Sequence, residues 1–141
     1  MTPGRGLPRS QSATGRLTLA GARGITAPML IYKILRADEW AALRAQGETA
    51  GAPIDVADGY VHFSTAEQAR GTAAKHFAGE EGLVLLALEA DSLGEALKWE
   101  VSRGDALFPH LYAPLRLSDV LWHKPLPLGP DGHLFPEEMV W

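Results

Sequence analysis

Ten residues constrain this chain more than any others: Gly59-Tyr60-Val61-His62-Phe63-Ser64-Thr65-Ala66-Glu67-Gln68. Asp58-Gly59 is a turn signal. Tyr60 to Phe63 has the β-branched and aromatic composition of a half-buried strand. Ser64, with Glu67 three residues on, has the spacing of a capping box, so a helix is expected to start there and run to about Phe77. Gly79 is placed to end it in a left-handed cap. Strand alternation sets Val61 and Phe63 on one face and Tyr60, His62 and Ser64 on the other. A strand that opens into a helix start brings free amides and a polar side chain together, and such a junction favours an anion.

Around this junction the chain alternates regularly. Met29 to Leu35 reads as a strand with a single charge, Lys33. Asp38 is placed to cap a helix from Glu39 to Gln46, closed by Gly47, with Trp40 and Leu43 on one face. Residues 48–58 hold Gly51, Pro53, Asp55 and Asp58 and read as a loop. Gly82 to Glu89 is nearly all apolar, the pattern of a strand covered on both faces. Asp91 to Gly94 reads as a turn. Leu97 to Ser102 alternates, with Leu97, Trp99 and Val101 opposite Lys98, Glu100 and Ser102. Asp119 to Leu126 is a further strand, and Leu134 to Trp141 a short edge. Two early helices followed by strands predict an α+β fold with a mixed or antiparallel sheet.

At 141 residues the chain is expected to be one domain. Its charge is uneven. Residues 1–28 carry Arg5, Arg9, Arg16 and Arg23 and no acid; because the whole chain carries −4, residues 29–141 carry −8. Residues 1–28 are rich in Gly, Ser, Thr, Pro and Ala, and are expected to be a disordered basic extension ahead of a single domain at 29–141. A natural start at Met29 fits this, because Met29 immediately precedes the first strand. The acidic balance makes nucleic acid an unexpected partner. No apolar run approaches the ~20 residues of a membrane span, and a cytoplasmic protein is expected. With no cysteine, disulfides and thiolate chemistry are excluded.

Four places can carry chemistry, each with a structural alternative. His62 faces the helix start beside Tyr60 and Ser64; a lone strand histidine can equally be a hydrogen-bonded structural residue. In Phe108-Pro109-His110-Leu111-Tyr112-Ala113-Pro114 the two prolines exclude a central strand. If extended, the segment sets Phe108, His110 and Tyr112 on one side, a wall suited to a flat ring; otherwise its aromatics plug the core. Glu100 lies on the polar face of its strand, either functional or paired with Lys98 or Arg103. Lys33 is a charge among Ile31 and Leu35, which snorkelling at an edge would explain. There is no glycine-rich phosphate loop and no Gly-x-Ser-x-Gly. No histidine pair has the helical i, i+4 spacing of a zinc site, so no metal is expected.

The order Ile31-Tyr32-Lys33-Ile34, Trp40, Gly59-Tyr60-Val61-His62-Phe63-Ser64, Gln68, Trp99-Glu100 and Phe108-Pro109-His110-Leu111-Tyr112-Ala113-Pro114-Leu115 resembles the DUF952 family of bacterial and plant proteins of unknown function, over about Leu30 to Leu126. The fold of that family in turn resembles the ADP-ribosyltransferase superfamily, which includes RNA 2′-phosphotransferases. The resemblance implies a basic first-strand residue at Lys33 that neutralises phosphate. It implies His62 with Ser64 near a nicotinamide ribose, and Glu100 stabilising an oxocarbenium-like ribose. Tyr60, Phe108 and Tyr112 would stack on nicotinamide or adenine. NAD is the cofactor it suggests, and a small nucleotide-type ligand the partner.

Two positions depart from the pattern. Lys33 stands where the superfamily's first motif has histidine, and a lysine cannot reproduce an imidazole's neutral donor–acceptor pair. Tyr112-Ala113-Pro114 replaces Tyr-Gly-Pro, which disfavours a left-handed backbone at the middle residue. Two functions are therefore carried forward. One is an ADP-ribosyltransferase-like enzyme acting on NAD or on an ADP-ribosyl or 2′-phosphate compound, with His62 and Glu100 catalytic. The other is a non-catalytic nucleotide or small-ligand binding module. The enzyme requires Glu100 in one cleft with His62.

Overall fold

A computed structural model of the chain describes residues 29–137 and 139. The expectations for residues 1–28 and for the last residues of the C-terminal edge lie outside these.

Every strand pairing among the described residues is antiparallel. The central apolar run forms β4 (Leu83–Glu89; the numbering counts all strands in chain order), between β1 (Leu30–Leu35) and β8 (Val120–Leu126). Leu85, Leu86, Ala87 and Leu88 are fully buried, as a strand covered on both faces must be. A second sheet has β6 (Leu107–Leu111) between β3 (Val61–His62) and β5 (Leu97–Val101). One bridge joins the sheets. Phe63 N–H donates to the Pro109 carbonyl at 3.0 Å, while Ser64 exchanges both backbone bonds with Tyr32 at 2.8 and 2.9 Å. Successive residues of an extended chain turn their amides to opposite sides. Residues 61–64 can therefore serve both sheets at once.

Alternation along β1 divides the core. Ile31 and Leu35 pack with Trp40 and Leu43 of the helix α1 (Ala37–Gln46). Tyr32 and Ile34 pack with Ala66, Ala69 and Ala73 of α3 (Ala66–His76). The alanines recur at i, i+3 and i+7, so α3 shows the sheet a narrow face and lies close to it. Each buried Ile or Leu contributes about 1.5–3 kcal/mol.

Several expectations are corrected. Residues 48–58 are not one loop: they hold β2 (Glu48–Thr49), paired with β7 (Leu115–Arg116), and a third helix, α2 (Pro53–Asp58). Pro53 at the first helical position is itself a helix-start signal, since its missing N–H would be unpaired there anyway. The first helix begins at Ala37, not after Asp38, and the Glu39 carboxylate accepts the Arg36 N–H at 2.8 Å. The capping box before α3 lies one residue later than expected. Thr65 N–H donates to Gln68 Oε1 at 3.0 Å, and Gln68 N–H to Thr65 Oγ1 at 3.3 Å. Ser64 is held in the bridge to Tyr32, and its hydroxyl meets Thr72 Oγ1 at 2.7 Å.

The helix α3 ends at His76, with Phe77, two residues before the left-handed Gly79, as its C-cap. Residues 134–137 add no strand; a small hairpin, β9 (Leu128–Gly129) with β10 (Gly132–His133), precedes them.

The largest correction concerns β6, which is a central strand despite Pro109. In an antiparallel strand a residue's N–H and C=O point to the same side. Pro109's carbonyl faces Phe63, so its missing N–H also faces that side, where β3 has already ended. The ladder to β5 loses nothing.

Candidate functional site

The site is assembled around Asp55, in the stretch that read as a loop. The backbone turns through Gly51 at φ 103° and enters α2 at Pro53. A Cβ on Gly51 would collide with the Asp55 carboxylate, so the close approach requires glycine. Asp55 is the third helical residue and its side chain folds back onto the helix start. Its Oδ2 accepts the Ala52 N–H at 2.7 Å and the Lys33 ammonium at 2.7 Å. Its Oδ1 accepts the His62 N–H at 3.0 Å and the His62 ring Nδ1 at 2.5 Å. The carboxylate is fully buried.

Burial alone would raise the Asp55 carboxyl, but the bond from the His62 ring, the charge and bond of Lys33 and the His62 N–H outweigh it and hold it at about 2. Burial lowers the Lys33 ammonium below its ordinary value, with Asp55 opposing. Lys33 therefore does not snorkel to solvent; it is 6% exposed and ion-paired.

His62 meets a second carboxylate, with Nε2 3.0 Å from Asp58 Oδ2. Directly across the β3–β6 ladder stands His110, itself buried. Its Nδ1 lies 2.8 Å from Glu100 Oε1, and the Tyr112 hydroxyl donates to the same oxygen at 2.8 Å. These two bonds lower the Glu100 carboxyl, and the carboxylate pushes the Tyr112 phenol up to about 12. Tyr60 ties the two imidazoles together: its ring centroid is 4.2 Å from His110 and 4.6 Å from His62, which are 5.4 Å apart.

A cavity of about 530 Å³ opens onto this group, a volume typical of small-molecule sites. Lys33, Tyr60, His62, Ser64, Phe108 and His110 all line it. Glu100 and Tyr112 do not; they stand behind the lining on the same sheet face, Glu100 against His110 and Tyr112 also against the Tyr60 ring at 5.2 Å. Tyr112 is 45% exposed. The lining also includes Arg36, Lys75 and His76, and Arg36 is paired with Glu80. Asp58 is the one carboxylate among the described lining residues. No group of three or more His, Asp or Glu among the described residues is arranged to hold a metal ion.

At the start of α3 the Thr65–Gln68 box occupies the Thr65 and Gln68 amides. Ala113 is not left-handed, since Asp105 is the one non-glycine residue with positive φ among those described, so its replacement of glycine strains nothing. Asp55, Asp58 and Lys75 were missed by the sequence reading. The available signal was Pro53 followed two residues later by Asp55, the first turn of a helix with a carboxylate placed to reach back.

No described helix is long and apolar enough to cross a membrane. No curated protein matches the chain. The crystal structure of protein CC0527 from Caulobacter crescentus is similar, at 57% identity and a TM-score of 0.71, over 74% of this chain and 91% of that one. The solution structure of the same protein matches at 57% identity and a TM-score of 0.67, over 74% and 90%. The family model described as "Protein of unknown function (DUF952)" matches residues 34–123, and with that match the chain belongs to the DUF952 family.

Proposed function

We propose that the cavity is a binding site for a phosphorylated, ring-containing ligand of nucleotide type, held without bond cleavage. The observation that carries this reading is the composition of one wall: the rings of Tyr60, His62 and His110 stand within 5.4 Å of one another beside the Lys33 ammonium. Flat π-faces accept a base or a nicotinamide ring. Lys75, with the Lys33 ammonium, supplies donors and positive charge for phosphate. Glu100 argues for binding over transfer, because its Oε1 is already taken by His110 and Tyr112 and it does not line the cavity.

A second reading rests on the same residue. Glu100 shares a sheet face with His62 and His110, so a turn of its side chain would bring a carboxylate towards a bound ribose. This is the ADP-ribosyltransferase-like reading, with NAD or an ADP-ribosyl or 2′-phosphate compound as substrate.

Thermal melts with NAD, ADP-ribose and nucleotide phosphates test both. A ligand at 100 times its Kd adds about 2.7 kcal/mol of stability. Stabilisation lost in Tyr60→Ala and His62→Ala, with NAD recovered intact after long incubation, supports the binding reading. Release of nicotinamide that Glu100→Gln abolishes would replace it by the transferase reading. No stabilisation by any of these compounds would remove both.

A further inference from the structure

We propose that the outer edge of β5 pairs with the same edge of a second copy of this chain, about a two-fold axis at Trp99, and merges two three-stranded sheets into one. Backbone parity identifies the free groups. Tyr112 N–H donates to the Ala96 carbonyl at 2.8 Å, and Ser102 N–H to the Ala106 carbonyl at 2.9 Å. Amides alternate sides along a strand, so Lys98 and Glu100 also turn theirs to β6. Leu97, Trp99 and Val101 turn theirs outward, where no described strand meets them. Open edges of this kind are normally blunted by charged side chains, proline, a bulge or a covering element; the charges of β5, Lys98 and Glu100, are of opposite sign and can neutralise one another between two copies. β5 has no proline, and its register with β6 runs unbroken from Leu97 to Val101.

The sequence of β5 selects the partner. An antiparallel copy centred on Trp99 sets Trp99 against Trp99, Leu97 against Val101 and Lys98 against Glu100. The outward residues then fall in the pairs that exchange both N–H···O bonds. The opposite charges fall in the closer pairs, where side chains interact most. Moving the centre one residue either way keeps the backbone parity but sets Lys98 against Lys98, or Glu100 against Glu100. Like charges directly opposed are destabilising. The register is therefore specified by charge, and it is self-complementary as a two-fold interface must be.

The face of β5 turned away from the cavity agrees. Trp99 and Val101 are 37% and 63% exposed there, and in the paired register they would lie beside Trp99 and Leu97 of the second copy. Lys98 donates a long bond of 3.3 Å to the Glu95 carbonyl, which its reorientation would give up at little cost. On the cavity side, Lys98 of the second copy would stand beside the Glu100 that holds His110 and Tyr112. Assembly would thus add a positive charge next to the site.

Sedimentation and light scattering of the full chain across a hundredfold concentration range test this. The wild type is expected to reach the mass of two chains. Lys98→Glu and Glu100→Lys are each expected to stay at half that mass alone, and to regain the doubled mass when mixed one to one, because every cross-strand pair is then opposite in charge. Trp99→Pro, at an outward position where the monomer loses no ladder bond, is expected to abolish the dimer while keeping the circular dichroism of the fold. A wild type that stays monomeric, with the Leu97, Trp99 and Val101 amides protected from exchange, would mean that another strand occupies the edge and would overturn the proposal. So would a dimer that survives Lys98→Glu and Trp99→Pro.

Discussion

Asp55 Oδ1 stands 2.5 Å from Nδ1 of His62, seven positions further along the chain. The same Asp55 holds its own helix start, the His62 backbone and Lys33 of the first strand, so three elements meet on one carboxylate. The imidazole that faces the cavity is oriented by a residue that does not itself line it. A histidine held this way presents one fixed ring orientation to a ligand.

Asp55→Ala is expected to destabilise the protein by about 3–5 kcal/mol, because it leaves the Lys33 ammonium buried without its counter-charge. Lys33→Met should lose less, since the carboxylate keeps the Ala52 and His62 donors. The double variant should lose less than the two single changes added together, because the groups form one network. Denaturant melts of the four proteins measure the coupling, and strict additivity would contradict it.

The same carboxylate sets an acid limit. Its pKa in the fold, about 2, lies below its ordinary 3.8. A depressed carboxyl contributes stability that is fully present above the unfolded value and is lost as pH falls through the folded one. Stability should therefore fall from about pH 4 towards about pH 2. In Asp55→Asn the slope in that window should flatten, although the variant is less stable throughout. Urea melts at a series of acidic pH values decide; an unchanged slope would assign the acid transition to other carboxyls.

Tyr112 gives a spectroscopic readout of the second couple. Its phenol is pushed up to about 12 chiefly by donating to Glu100. In Glu100→Gln the phenol should ionise at lower pH, nearer 10, because the neighbouring negative charge is gone. Ultraviolet titration of the tyrosines, with Tyr112→Phe to assign the band, reports the shift. A Tyr112 transition that does not move in Glu100→Gln would mean that the bond is absent in solution.

Thr65→Ala should cost about 1 kcal/mol, the usual loss of an N-cap. Ser64→Ala removes the bond to Thr72 but leaves the helix start capped, so it should not reproduce the loss of helical signal. Thermal melts followed by circular dichroism separate the two. The opposite ranking would place the cap at Ser64.

The apolar run of β4 determined by itself a central strand buried on both faces, and Gly47 the end of the first helix. Alternation determined which side chains share a face: Tyr60 with His62, and Phe108 with His110. These features are local, because burial period and backbone handedness act within a few residues. The α+β class followed from them.

What only the tertiary structure decided was long-range. Asp55 finds Lys33 22 residues away, and Glu80 finds Arg36 44 residues away. No local pattern distinguishes a carboxylate that will be buried against an ammonium from one that stays in water. The proline in β6 misled for the same reason: a missing N–H disqualifies a central strand only if a partner needs it, and here β3 stops short at that side. The order of strands fixed both outcomes, and that order comes from the joint packing of two core clusters across one shared bridge between Tyr32 and Ser64.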